Sequence, residues 1–84
     1  MMKTTNRSRT QIIAEILSLC REPQTKTRVM YQTNLSTRML KEYLASLLSN
    51  GLLEIHHSKI KYATTQQGLK FLEKYRELAE LLSP

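Results

Sequence analysis

The sequence predicts a mostly α-helical fold with one small β-hairpin, in the order helix, helix, helix, strand, strand, helix. Three observations carry this reading. Apolar residues recur at helical spacing in the runs ending at Cys20, Leu48 and Leu82, each run preceded by a Ser or Thr able to cap a helix. Between Gly51 and Thr65 the period of the pattern falls to two, as in strands. Pro23, Asn34 and Asn50-Gly51 punctuate the runs with residues that stop helices or accept left-handed backbone.

Residues 1–6 are polar and read as a flexible arm. Ser8 caps the first helix, whose apolar positions are Ile12, Ile13, Ile16, Leu17 and Cys20; Pro23 ends it. Thr25 caps a short second helix through Val29, Met30 and Tyr31, and Asn34 suits the left-handed residue that follows. Ser36 caps the third helix. Leu40, Tyr43, Leu44, Leu47 and Leu48 make one apolar stripe on it, and Leu35 can fold back on Leu40 as a staple. Leu53, Ile55 and His57 then alternate with Glu54 and His56. After a turn near His57-Ser58, Ile60, Tyr62 and Thr64 alternate with Lys59, Lys61 and Ala63. Thr65 caps a last helix running to about Leu82. A short helix, a turn and a capped helix followed by a hairpin make a winged helix-turn-helix, expected over residues 7–64, with residues 65–84 as an extended C-terminal helix.

Eighty-four residues make one domain with a modest core, and dimerisation is one ordinary remedy for that. The formal net charge is +6, unevenly spread. Residues 1–64 hold ten basic and four acidic side chains, whereas residues 65–84 hold three of each. The excess suggests a polyanionic partner for the first part and another task for the second; a basic balance that only aids solubility is the plainer alternative.

Several classes are set aside. Cys20 is the one cysteine, so no internal disulfide forms, and an intracellular, cytoplasmic location is expected, nucleoid-associated if the partner is DNA. No apolar run approaches the roughly 20 residues of a membrane span, and the polar start lacks a signal-peptide core. An enzyme is not expected. His56 and His57 are neighbours on a strand and point to opposite faces, Cys20 falls on the apolar stripe of its helix, and Gly51 and Gly68 make no phosphate loop. No cofactor, metal or small-molecule substrate is implied.

If the leucine stripe of the third helix faces the core, its other side presents Thr37, Arg38, Lys41, Glu42 and Ala45. The start of such a helix is what enters a major groove. There Ser36 and Thr37 suit phosphate or base edges, Arg38 pairs with guanine, and Glu42 repels phosphate but tolerates cytosine. Arg7, Arg9, Lys26, Arg28, His57, Lys59 and Lys61 are the candidates for phosphate contacts around it. Lysines on a hairpin also discourage sheet-to-sheet aggregation, and any exposed helix face is polar, so a protein-docking module is the alternative function. With four Tyr and one Phe, a stacking platform for single strands is not evident. Phe71, Tyr75, Leu78 and Leu82 recur at spacings of 4, 3 and 4. With Leu81 they form the candidate dimerisation seam, whose first turns also pack at home.

Nearly the whole chain, from Arg7 to Leu82, resembles the small archaeal winged-helix DNA-binding proteins that dimerise through a C-terminal antiparallel coiled coil. The resemblance is carried by Arg7-Ser8-Arg9 with Ile12-Ile13 and Ile16-Leu17, by Thr27-Arg28-Val29-Met30-Tyr31, and by Asn34-Leu35-Ser36. Leu40, Tyr43-Leu44, Leu47-Leu48, Gly51-Leu52, Thr64-Thr65, Gly68 and Phe71-Leu72 extend it. It implies binding of duplex DNA by the Ser36–Asn50 helix and the wing, a transcriptional or chromatin role, and a symmetric dimer through the last helix.

Overall fold

The computed structural model describes residues 7–83, so the arm expected at residues 1–6 lies outside the described residues. Four helices and a hairpin follow in the expected order: α1 (Arg9–Leu19), α2 (Lys26–Thr33), α3 (Thr37–Ser49), β1 (Leu53–His56), β2 (Lys61–Thr64) and α4 (Gln66–Leu82). Each helix is capped where the sequence places a hydroxyl. Ser8, Thr25, Ser36 and Thr65 accept from the amides of Gln11, Arg28, Met39 and Gly68, and Gln11 returns the bond to Ser8 in a full capping box. Asn34 closes α2 with a φ of 58°, and Gly51 follows α3 with a φ of 73°. Both lie in the left-handed region that these two residue types tolerate.

The core is one cluster. Ile12, Ile16 and Leu17 from α1 and Cys20 at its C-cap meet Val29 from α2, and Leu40, Tyr43, Leu44 and Leu47 from α3 close over them with Leu35, Leu53 and Leu72. Leu48 is half-buried at its edge. Burying each such leucine contributes about 1.5–3 kcal/mol, against the entropy of ordering the chain. Burial pushes the Cys20 thiol up to about 11, which keeps it protonated, as befits a packing residue.

The wing is antiparallel, with Leu53 opposite Thr64, Glu54 opposite Ala63, Ile55 opposite Tyr62 and His56 opposite Lys61. A third, one-residue strand joins it. Gln24, between α1 and α2, exchanges two backbone bonds with Tyr62, of 2.9 and 2.7 Å. Thr64 ties the base of β2 to α1: its amide donates to the Cys20 carbonyl (2.8 Å) and its hydroxyl to that of Leu17 (2.7 Å). Ala63, which alternation places on the outward face with Lys61, is buried instead, since β2 packs against both α1 and α4.

The turn also departs from the expected pattern. His57, Ser58, Lys59 and Ile60 all lie in the loop, where the Lys59 amide donates to the His56 carbonyl (3.2 Å). Lys59 and Ile60 are therefore tip residues and not strand residues. Ile60 has a φ of 50°, a conformation costing a β-branched residue about 1–2 kcal/mol. A loop of this length closes with a residue in that region, and the chain supplies no glycine or asparagine there.

α4 is anchored by its first half. At Gly68 a Cβ would stand 2.4 Å from the Leu52 carbonyl oxygen and 2.5 Å from the Thr64 methyl, so only glycine allows this approach. Leu72 enters the core, with Phe71 and Tyr75 half-buried beside it. The start of the C-terminal helix is thus part of the same packed unit as α1 to β2.

Candidate nucleic-acid interface

With Leu40, Tyr43, Leu44 and Leu47 inward, α3 has no freedom in what it shows outward. Arg38 and Glu42 stand on the far side, one helical turn apart. Arg38 Nε is 3.7 Å from Glu42 Oε2, with side chains 89% and 70% exposed. An i,i+4 pair this wet contributes at most about 0.3–0.5 kcal/mol, so either partner leaves readily for a ligand. Lys41 is exposed on one flank of the same face. Thr37 is exposed too, its hydroxyl donating weakly to Met30 Sδ at 3.4 Å across the turn. Ser36 is exposed, but its hydroxyl oxygen is engaged as the cap, accepting from Met39 at 3.1 Å.

The outlying cations differ among themselves. Lys26 and Arg28 lie exposed in the first turns of α2. Arg9, exposed at the start of α1, rests its guanidinium carbon 5.1 Å from the centre of the Tyr43 ring, which holds that cation against α3. Arg7 sits apart from these: it is half-buried, ion-paired with Glu15 and donating to the Thr33 carbonyl at 2.8 Å. Its guanidinium joins α1 to the end of α2, where a cation suits the orphan carbonyls. That commitment argues against a phosphate contact by Arg7. In the wing, His57 and Lys59 are exposed at the tip, while Lys61 is half-buried in β2. His56 faces Glu54 at 3.2 Å.

Of the candidate seam on α4, Phe71 and Tyr75 pack at home. Their rings stack with centroids 6.4 Å apart and both rest on the core. Leu78, Leu81 and Leu82 project into solvent, the last two more than 80% exposed. Among the described residues no group of His, Cys, Asp and Glu is placed to hold a metal ion, and no helix is long and apolar enough to cross a membrane.

Two exposed residues escape a reading based on the sequence. Tyr31, 76% exposed, projects from α2 one turn beyond Arg28. The signal was present: Val29 and Thr33 are the buried pair of α2, and a residue two places from Val29 lies roughly 200° round the helix. Ile60 at the wing tip has no comparable signal.

The winged helix-turn-helix family profile matches residues 6–83, nearly all of the chain. An uncharacterized protein of Methanocaldococcus jannaschii is 37% identical over 78 residues, which cover 92% of this chain and 78% of that protein. Capped helices α2 and α3 joined through a left-handed asparagine, the hairpin packed after α3, and this family match together place the chain in the winged helix-turn-helix family, a family associated with DNA binding in general.

Proposed function

We propose that this chain is a non-enzymatic, cytoplasmic, nucleoid-associated protein that binds double-stranded DNA as a homodimer, as a transcriptional regulator or a chromatin protein. α3 enters the major groove and presents Thr37, Arg38, Lys41 and Glu42 to base edges and phosphates, with Ser36 at its entry. Arg9, Lys26, Arg28, His57, Lys59 and Lys61 meet the flanking backbone. The observation that carries this reading is the division of α3: Leu40, Leu44 and Leu47 buried on one side, Arg38 and Lys41 held out to water on the other. Leu78, Leu81 and Leu82, exposed beyond the packed half of α4, support a seam with a second copy. A two-fold dimer would set two α3 helices on one duplex.

A salt titration of binding to random-sequence duplex tests the reading. The expected result is binding with a Kd on the order of 10⁻⁴–10⁻⁶ M that weakens steeply as salt rises. Lys59→Ala weakens it uniformly across sequences and lowers the salt slope by about one. No binding to duplex at low salt would instead favour a protein-docking module.

A further inference from the structure

We infer that Ile60 at the tip of the wing is a minor-groove wedge, an aliphatic side chain that enters between base pairs while Lys59 and Lys61 hold the flanking phosphates. The inference rests on the DNA-binding reading and assigns a residue and an action to its wing. Three observations meet at this residue. Ile60 is 69% exposed, so it adds nothing to the core, which lies at the other end of the hairpin. It occupies left-handed backbone, at a φ of 50°, that glycine or asparagine fills with far less strain, so an isoleucine here works against the fold. It lies beyond the last strand pair, His56 with Lys61, and directly between two lysines.

The chemistry selects the partner. An apolar group on an outward loop gains by burial, and the cations on both sides restrict the burying surface to an anionic one. A duplex minor groove offers both, with phosphates along its rims and stacked, apolar base faces between them. Apolar wedges of this size unstack steps there and kink the helix. Pyrimidine–purine steps open most easily, so the wedge gives the wing a preference for TA or CA steps without a hydrogen bond to any base.

The test uses the full chain and a short duplex with one central TA step, in which 2-aminopurine replaces the adenine of that step. Saturating the duplex with wild-type protein is expected to raise the 2-aminopurine fluorescence as the base unstacks. Ile60→Gly, which relieves the backbone and removes the wedge, is expected to melt no lower than wild type, to bind about tenfold more weakly, and to lose the fluorescence rise. Ile60→Leu keeps the rise. Duplex binding by wild type with no rise, or an equal rise with Ile60→Gly, overturns the wedge and leaves the DNA-binding reading standing. Absence of duplex binding by wild type overturns both, and so does Ile60-dependent binding to anionic lipid vesicles in its place.

Discussion

α3 and α4 are both amphipathic, yet they use their apolar faces in opposite ways. α3 completes its apolar side at home: Leu40, Tyr43, Leu44 and Leu47 are buried, and what remains outside is charged. α4 does so only over its first half, where Gly68 and Leu72 are buried. Beyond Tyr75 its leucines face water. An exposed charged face is at ease in solvent and waits for a ligand of opposite sign. An exposed leucine stripe is better explained by a second protein surface than by solvent. The charge balance runs parallel, since the excess of cations lies wholly before Thr65. One helix thus buries its apolar side within the chain and leaves charge outside, whereas the other leaves apolar side chains exposed. The proposed roles, DNA contact for α3 and a dimer seam for the end of α4, rest on that difference.

Substitutions on the two helices should separate these roles. The largest effect falls on the inward side of α3. Leu47→Ala opens a cavity in the centre of the cluster and should lower the stability to chemical denaturation by about 2–5 kcal/mol. A cost under 1 kcal/mol would mean that α3 is not held by its leucines. On the outer end of α4, Leu81→Glu with Leu82→Glu removes apolar contact area that the single chain does not use. The stability of the lone chain should then move by no more than about 0.5 kcal/mol, while light scattering shows the mass fall from dimer to monomer. A wild-type protein that is monomeric at high concentration would end the dimer proposal.

Much of this was legible in the sequence because its signals are local. Four caps, the left-handed asparagine and the leucine stripe of α3 each depend on neighbours within a turn or two, and all appear as expected. The signals that failed are long-range or lack a characteristic residue. The bridge from Gln24 to Tyr62 and the engagement of Arg7 with the Thr33 carbonyl join positions 38 and 26 residues apart, which no periodicity encodes. The four-residue turn was hidden because an isoleucine stands where a glycine would have announced it. Tyr31 falls within the second helix that the sequence predicts, but which face it takes depends on Val29 and Thr33 being the buried pair of α2, and that pair turns it outward. The exposed face of α3 was thus legible, since burial of one face dictates the other, and the exposure of the cations around it less so, since each cation's freedom depends on partners distant in sequence.

The central claim is that the outward face of α3 meets DNA, and Arg38→Ala tests it most directly. Among the described residues Arg38 is ion-paired with Glu42 on its own helix and is 89% exposed, so its loss should leave the melting temperature unchanged. Measured by filter binding at fixed salt against a panel of duplexes, the substitution is predicted to weaken binding to the best sequence by about 1–3 kcal/mol and to relax preference at one base pair. An unchanged affinity for every duplex, with wild type binding well, would contradict the account.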